Sequence, residues 1–172
     1  GTLWTTCGRR LDEAFLQGLA QVKWTADGVE PLLAESWEME EGGMAYVFHL
    51  REGVTWHDGT PFTADDVVFS FNIFANPAVG STYAAKLSDV VGYDEFQAGT
   101  ATELAGVTKV DDMTVRVELK NPSPLWVELQ QISISILPNH ILGSVPAAEL
   151  RTNGYWKNMV GPGPFVMTEF VD

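Results

Sequence analysis

The sequence predicts an α+β fold, a mostly antiparallel sheet with flanking helices. Two stretches alternate apolar and polar residues with the two-residue period of a strand, and each is joined to a second strand-like stretch by a short turn. A stretch between them has apolar residues at the three- and four-residue spacing of a helix. Hairpins interspersed with helices favour antiparallel pairing over the parallel sheet of an α/β protein.

Composition limits the classes of partner. The chain has 172 residues, which suits a single domain with a sizeable core. Its formal net charge of −13 disfavours nucleic acid and anionic membrane surfaces, because both are themselves negative. Cys7 is the only cysteine, so an internal disulfide is excluded. No signal peptide or membrane-length apolar run is visible, and the chain starts without Met, so we interpret it as a mature or truncated form.

The first predicted element is a helix from Arg10 to Val22. Leu11, Phe15 and Leu19 recur there at four-residue spacing and would share one helix face. The sequence TADG at Thr25–Gly28 then predicts a turn, because its Asp-Gly pair tolerates positive φ.

A β-hairpin follows this turn. In Tyr46–Leu50 the apolar side chains alternate with Val47 and His49, which places them on one face of an extended strand. Trp37 and Met39 alternate in the same way upstream. The break at Glu41–Gly43 between the two stretches predicts the hairpin turn.

The stretch VTWHDGTPFTADDVVFSFN, residues 54–72, predicts a strand end, a turn and a capped helix. Asp58-Gly59 is a turn pair, and Thr63 is an N-cap whose oxygen can accept a backbone N–H at the helix start. Asp65 and Asp66 fall in the first helical turn, where negative charge suits the helix dipole. The core-facing positions that follow at helical spacing are Val67, Val68, Phe71 and Phe74.

A second hairpin is predicted near the middle of the chain. A short strand from Val107 to Val110 leads to a turn at Asp111–Asp112. In Met113–Leu119 apolar residues then alternate with polar ones, which is typical of a strand with one buried face. The sequence NPSP ends this strand, because proline cannot donate to a ladder.

Three elements are predicted beyond this hairpin. We expect a short helix over Leu125–Gln131 and a short strand over Ile132–Leu137, which is apolar and β-branched at alternate places. The sequence GPGPF at Gly161–Phe165 predicts a turn into a final strand, Phe165–Val171.

The pair His57-Asp58 raises the question of catalysis. A histidine and a carboxylate could serve as base and orienting group for a serine such as Ser70 or Ser81. Adjacent residues on an extended chain point to opposite faces, however, so His57 and Asp58 are badly placed to pair with each other. No G-x-S-x-G motif occurs. The sequence therefore predicts no catalytic residue.

A metal site is equally unsupported by the spacing. The histidines are His49, His57 and His140, and none lies four residues from another. The stretch DGTPFTADD lacks the oxygen-ligand spacing of a calcium loop. We predict no metal ligands and no cofactor, and we interpret the turn and capped helix as structural.

Several motifs of this sequence resemble those of one protein family and occur in the same order. LAESW at Leu33–Trp37, FHLREGVTWHDG at Phe48–Gly59 and TADDVVFS at Thr63–Ser70 resemble the signature region of the bacterial extracellular solute-binding proteins of family 5. These are the peptide- and nickel-type receptors of ABC importers. Later stretches resemble the family in the same order; they are STYAAKL, GVTKVDDMTVRVELKNPSP, ILPNHIL and VGPGPF.

The resemblance implies a part of a larger receptor. Members of this family have two lobes that close on a ligand across a hinge. The chain would be a single compact domain, residues 1–172, in which about 22–161 form the inserted subdomain of the first lobe. Residues 1–21 and 162–172 would be flanking segments of that lobe, and the second lobe would be absent.

The resemblance also implies a binding function rather than chemistry. The intact protein would bind a peptide, an oligosaccharide or a nickel chelate and deliver it to an ABC permease in the membrane. Its partners would be that ligand, the permease and the remaining lobe, and nucleic acid is not expected. The location would be periplasmic or extracellular, with a lipid anchor in the parent protein as one option.

One ligand-binding residue is implied by the resemblance. Tyr83 lies in STYAAKL, which matches the SPYA stretch of the family, where the tyrosine lies near the cleft between the lobes. It follows a break at Pro77 and Gly80, so it starts a new element at a loop edge, a common position for binding residues. This sequence has Thr82 where the family often has proline. A tyrosine that packs on the core of the subdomain is the alternative.

Two other classes of function remain open. An enzyme would need a convergent His, Ser and Asp cluster, which the sequence order does not suggest. A stand-alone sugar-binding or interaction module would use some of the six tryptophans to stack on sugar faces. Trp37 and Trp56 lie inside the family motifs, however, and are expected to be structural.

Overall fold

The structure is a computed structural model that describes residues 15–22, 28–127 and 134–168. The strands are β1 (Ala20–Val22), β2 (Val29–Pro31), β3 (Ala34–Glu40), β4 (Ala45–Leu50), β5 (Val107–Asp111) and β6 (Thr114–Glu118). The α-helices are α1 (Ala64–Ala75), α2 (Tyr93–Gln97) and α3 (Asn139–Leu142). Short 3-10 helices cover Ala84–Leu87, Ala147–Thr152 and Gly154–Lys157. Within the described ranges, no helix has the length and apolar character needed to cross a membrane.

A four-stranded antiparallel sheet in the order β3-β4-β6-β5 forms the frame. Both predicted hairpins are confirmed, as β3–β4 and β5–β6. Phe48 lies between Trp37 on β3 and Val115 on β6, so one face of the sheet presents a continuous apolar layer. β1 and β2 form a separate two-stranded antiparallel sheet. The predicted α+β class with a mostly antiparallel sheet is therefore confirmed.

Helix α1 covers the apolar face of the large sheet. Its residues Val67, Phe71 and Phe74 are buried, as the helical spacing predicted. Val68, also predicted to face the core, is only half-buried at the edge of the core. The helix packs against β5, β6 and α3. Thr63 occupies the predicted N-cap position, and its backbone N–H donates to Oδ2 of Asp66 over 3.0 Å in a capping box.

The turn between β3 and β4 has an unusual backbone and a tight contact. Glu41, Gly42 and Gly43 all have positive φ, and φ of Gly43 is 99°. A Cβ on Gly43 would lie 2.8 Å from backbone atoms of Ser123 and Pro124. The N–H of Ser123 donates to the Gly43 carbonyl over 2.9 Å. The turn predicted at Glu41–Gly43 is thus fastened to the chain that follows β6.

The helix predicted over Arg10–Val22 is wrong for residues 16–22, and residues 10–14 lie outside the described ranges. Phe15 is helical, but residues 16–18 have no regular structure and Ala20–Val22 is β1. Backbone carbonyls here accept from distant segments: Gln17 from Ile136 over 2.8 Å and Leu19 from Leu32 over 3.0 Å. Tertiary hydrogen bonds therefore override the helical spacing of the leucines.

The strand predicted over Ile132–Leu137 is wrong for residues 134–137, and residues 132–133 are not described. The segment is buried but joins no ladder. The N–H of Ile136 donates to the Gln17 carbonyl, and the N–H of Leu137 donates to the Ser70 hydroxyl on α1. Of the helix predicted over Leu125–Gln131, residues 125–127 are described, and Trp126 and Val127 are helical.

The predicted final strand, Phe165–Val171, is wrong for residues 165–168, and residues 169–171 are outside the described part. Phe165 and Val166 are each 61% exposed, so they do not join the sheet or its core. The turn predicted at Thr25–Gly28 can be checked only at Gly28, whose φ of 72° fits a turn.

Gly161 is the point at which the beginning and the end of the described chain touch. A Cβ there would overlap the carbonyl group of Phe15 and lie 3.3 Å from the side chain of Leu16. Nearby, the N–H of Gly163 donates to the Phe15 carbonyl over 3.0 Å. The segments 15–17 and 161–163 are therefore in backbone contact, which leaves no space for a side chain at position 161.

Substitution Gly161→Ala should lower the free energy of unfolding by about 2 to 3 kcal/mol, because backbone atoms of Phe15 cannot move aside without breaking hydrogen bonds. Urea unfolding followed by tryptophan fluorescence measures this. The matched control is Gly154→Ala, where no atom lies within 4 Å of the added Cβ and the cost should stay within about 0.5 kcal/mol. Equal stability of the two variants would contradict the contact.

Candidate functional site

The motif turn at residues 56–60 is closed by its own backbone. The N–H of Trp56 donates to the carbonyl of Thr60 over 2.8 Å, and the N–H of Gly59 donates to the carbonyl of Trp56 over 2.9 Å. Gly59 has a φ of 88°, which confirms the predicted glycine turn. The side chains of His57 and Asp58 leave this turn toward different parts of the chain.

His57 bonds to the segment around Gly161 and not to Asp58. The N–H of Gly161 donates to Nδ1 over 3.2 Å, so Nδ1 is an acceptor and the ring proton is on Nε2. Nε2 then donates to the carbonyl of Gly163 over 2.8 Å. The backbone N–H of His57 also donates to the Gly161 carbonyl over 3.1 Å. Three hydrogen bonds therefore fasten the motif turn to the end of the described chain.

Asp58 pairs with His140 at the start of α3. Nε2 of His140 lies 2.8 Å from Oδ2 of Asp58, and the Thr60 N–H donates to Oδ1 over 3.0 Å. Partial burial acts to raise the pKa of Asp58, but the hydrogen bonds from Thr60 and His140 outweigh it and hold the pKa below its ordinary value. The His140 ring also lies against Trp56, with 5.8 Å between the ring centroids.

Asp66 is the buried centre of this region. Its carboxylate accepts from Nε1 of Trp56 over 3.2 Å and from the N–H of Thr63 over 3.0 Å. The N–H of Asn139 donates to the other oxygen over 2.8 Å. Burial raises the pKa of Asp66, and the donors from Thr63, Asn139 and Trp56 partly oppose this.

Ser70 lies one helical turn beyond Asp66 on the same face of α1. Its hydroxyl donates to the Asp66 carbonyl over 2.6 Å and accepts from the N–H of Leu137 over 2.8 Å. Asp66 and Ser70 therefore satisfy the backbone donors of Asn139 and of the buried Leu137, in a segment that has no strand partner to do so.

The arrangement does not provide the parts of a nucleophilic catalyst. His57 and Asp58 point to different segments, and the Ser70 hydroxyl is engaged with Asp66 and Leu137. The Ser81 hydroxyl accepts from the N–H of Tyr83 over 3.1 Å. Among the described residues, neither serine hydroxyl is hydrogen-bonded to a histidine ring. The predicted structural role of the motif agrees with this geometry.

The three histidines do not converge on a metal position. His49 lies 3.6 Å from Glu38 on the neighbouring strand, while His57 and His140 have the partners described above. Within residues 15–22, 28–127 and 134–168, no group of three His, Cys, Asp or Glu side chains could hold a metal ion.

Tyr83 occupies a loop edge, as the sequence predicted. It is the N-cap residue of the 3-10 helix Ala84–Leu87, and its side chain is half-buried. The ring meets Phe74 of α1 edge-on, with 5.9 Å between centroids, and the Lys86 ammonium lies 5.4 Å from the ring centroid. Core packing and surface exposure are thus combined in one side chain, and its role toward ligand stays a prediction.

The described tryptophans differ in how deeply their side chains are buried. Trp56 and Trp126 are each 1% exposed and belong to the core. Trp37 and Trp156 are half-buried. Both pack against the core, and the Trp37 ring lies 6.4 Å from that of Phe48 between centroids, which agrees with the structural role expected of Trp37.

Sequence reasoning missed the partners of the motif residues. The bonds from Asn139 to Asp66 and from Gly161 to His57 were not expected. Both donors are backbone N–H groups far along the chain, and a backbone N–H leaves no signal in the residue type. The available signal was the presence of Asp66 and Ser70, two polar residues four apart on the apolar face of a predicted helix.

Comparison with known proteins identifies the family. The sequence profile of the bacterial extracellular solute-binding proteins, family 5 Middle, matches residues 28–172. The chain belongs to this family.

Solved structures support the same conclusion. AppA, the oligopeptide-binding protein of Bacillus subtilis, is 37% identical over 139 residues, covering 80% of this chain and 23% of AppA. Its structure in complex with a nonapeptide superposes with a TM-score of 0.82 and 28% identity, covering 98% of this chain and 31% of that one. NikZ of Campylobacter jejuni in complex with Ni(L-His) gives a TM-score of 0.74 and 28% identity, covering 92% and 28%.

The relatives are longer than this chain. A peptide-binding protein assigned to an ABC transporter of Brucella ovis is 34% identical over 140 residues, or 81% of this chain and 24% of its own length. The chain therefore spans about a quarter of the curated relatives it matches.

The stability contributed by Asp66 should fall as the pH rises. Because burial raises the folded-state pKa, the protonated form is favoured in the folded chain, so stability is lost as the pH rises through that pKa. We expect the stability advantage of the wild type over Asp66→Asn to shrink as the pH rises above the ordinary aspartate pKa of about 3.9. Urea unfolding at a series of pH values measures it. An advantage that grows with pH would show that the three donors outweigh burial.

Proposed function

We propose that this chain is part of the solute-binding component of an ABC importer, which binds solute and delivers it without catalysing a reaction. The single observation that carries this is the family match over residues 28–172, together with the shared fold. The His57-Asp58 motif is used structurally, because both side chains join segments of the chain to each other.

A peptide is the ligand class that the comparisons favour. AppA was solved with a nonapeptide, and a Haemophilus influenzae OppA with the peptide RPPGFSPFR gives a TM-score of 0.79 and 30% identity to this chain. A nickel chelate is the second candidate, on the strength of NikZ with Ni(L-His). An oligosaccharide has weaker support, since burial of Trp56 and Trp126 leaves fewer indole faces for stacking.

The proposed receptor has two lobes, and this chain supplies part of the first. Residues 22–161 would form the inserted subdomain, with 1–21 and 162–172 as flanking segments. The exposed side chains of Phe165 and Val166 fit this proposal, because they lie in the segment that would continue into the rest of the lobe. The remaining lobe and a membrane permease are the proposed partners.

The proposed location is the periplasm or the cell exterior. The family is one of extracellular solute-binding proteins, and importers capture their ligands outside the membrane. The acidic surface suits a protein that does not bind anionic headgroups directly. Attachment by a lipid anchor in the parent protein belongs to the same proposal.

We further propose that Tyr83 contacts the ligand at the cleft between the lobes. Its half-buried ring has an apolar surface, and its hydroxyl can donate or accept. Phe74 supports one edge of the ring, so the side chain is held by the subdomain core while part of it remains accessible.

A ligand screen by thermal shift tests the function. The protein would be expressed with the sequence that its gene encodes on either side, and mixed with peptides of graded length, with Ni(L-His) and with oligosaccharides. A ligand that binds only the folded form at about a hundredfold excess over Kd should add about 2.7 kcal/mol of stability. We expect a rise in Tm with peptides. A response to oligosaccharides alone would favour the sugar-binding module, and turnover of any compound would contradict a pure binding function.

Tyr83→Ala should weaken peptide binding about tenfold or more if the ring lines the cleft. Calorimetric titration of the same full-length protein with the peptide found in the screen measures this. Tyr93→Ala is the matched control, because Tyr93 is also half-buried and has the Lys120 ammonium 5.5 Å from its ring centroid. Equal affinity of the wild type and the Tyr83 variant for every ligand would remove Tyr83 from the site.

A further inference from the structure

The loop before Tyr83 is held at its start by Asn76. Oδ1 of the Asn76 side chain accepts from the N–H of Ala78 over 2.9 Å. The backbone carbonyl of Asn76 accepts from the N–H of Val79 over 3.1 Å. Val79 is buried in the core at 1% exposure. The chain therefore turns sharply after α1, and the carbonyl groups of Val79 and Gly80 follow at the end of the turn.

Arg151 reaches this loop from the 3-10 helix Ala147–Thr152. Its Nη1 lies 3.3 Å from the Val79 carbonyl and 3.5 Å from the Gly80 carbonyl. One guanidinium nitrogen carries two hydrogens, so it can donate to both oxygens at once. Gly80 has a φ of 63°, a conformation that side chains rarely adopt. In this conformation the carbonyls of Gly80 and Val79 both face Nη1 of Arg151.

Ser81, which follows Val79 and Gly80 directly in the chain, orients Tyr83. Ser81 is 7% exposed, its hydroxyl accepts from the N–H of Tyr83, and its carbonyl accepts from the N–H of Ala84 over 3.2 Å. These bonds start the 3-10 helix that Tyr83 caps. A shift of the loop at Gly80 would therefore be transmitted to Tyr83 through Ser81.

The base of Arg151 is itself fixed. Its neighbour Leu150 is fully buried, and the Leu150 carbonyl accepts from Nε1 of Trp156. The N–H of Asn153 donates to the same carbonyl over 3.3 Å. The backbone beside Arg151 is therefore anchored, and the exposed Arg151 side chain extends from this fixed point to the carbonyls of Val79 and Gly80.

We infer that Arg151 is a positioning residue, which holds the loop at Val79 and Gly80 and thereby sets the place of the Tyr83 ring. This inference rests on the proposed function in one respect, the contact between Tyr83 and ligand. The support of the loop by Arg151 does not depend on any ligand. Hydrogen bonds from a charged donor to carbonyls are stronger than those from neutral donors, which suits a residue that orders a loop.

The test is amide hydrogen exchange by NMR on the 172-residue chain, comparing wild type, Arg151→Ala and Arg151→Lys. In Arg151→Ala, exchange at the amides of Tyr83 and Ala84 should accelerate about tenfold, with no change at the sheet amide of Val115. Arg151→Lys should recover part of the protection, because an ammonium can still donate to one carbonyl. Arg51→Ala is the matched control, since Arg51 also donates to a backbone carbonyl, that of Leu32 over 3.1 Å.

Each outcome bears on the inference. Unchanged exchange at Tyr83 in Arg151→Ala would overturn it, and so would a uniform acceleration that includes Val115, because that would indicate a general loss of stability. Faster exchange confined to the Tyr83 loop, with rescue by lysine, would support it. If this result were found while Tyr83→Ala bound peptide normally, the positioning of the loop would stand and the ligand role of Tyr83 would fall.

Discussion

The buried carboxylate of Asp66 fixes the motif turn, α1 and α3 relative to one another. A carboxylate removed from water is stabilised only if hydrogen-bond donors replace the solvent. Here the donors come from three places: the motif turn through Trp56, the start of α1 through Thr63, and the start of α3 through Asn139. Because one side chain must satisfy all three, the relative positions of turn, helix and α3 are set together.

Further bonds extend this arrangement to the ends of the described chain. His57 joins the motif turn to residues 161–163, and Gly161 lies against Phe15 with no room for a side chain. Asp58 binds His140 on α3. A histidine beside an aspartate thus serves here to connect distant segments. Tyr83 lies outside this set of bonds, at the start of the 3-10 helix Ala84–Leu87, where its ring packs edge-on against Phe74 of α1.

The two hairpins and α1 were predictable because their signals are local. Alternation in Tyr46–Leu50 and Met113–Leu119 and the cap at Thr63 each reside in a few consecutive residues. The errors occurred where distant backbone decides the conformation. Apolar spacing in Arg10–Val22 and Ile132–Leu137 suited a helix and a strand, but Gln17 bonds to Ile136 and Leu137 bonds to Ser70. Phenylalanine is common in strands, and yet Phe165 lies outside the sheet.

The sequence by itself determined the family, the fold class and the capped helix, because these follow from short motifs and periodicity. The prediction that Tyr83 binds ligand came from the family resemblance. Only the tertiary structure decided which groups the motif side chains bind. His57 and Gly161 are 104 residues apart, Asp58 and His140 are 82 apart, and Val79 and Arg151 are 72 apart. Periodicity reports which face of an element is buried, but it holds no information on which backbone carbonyl or amide a folded chain brings to that face.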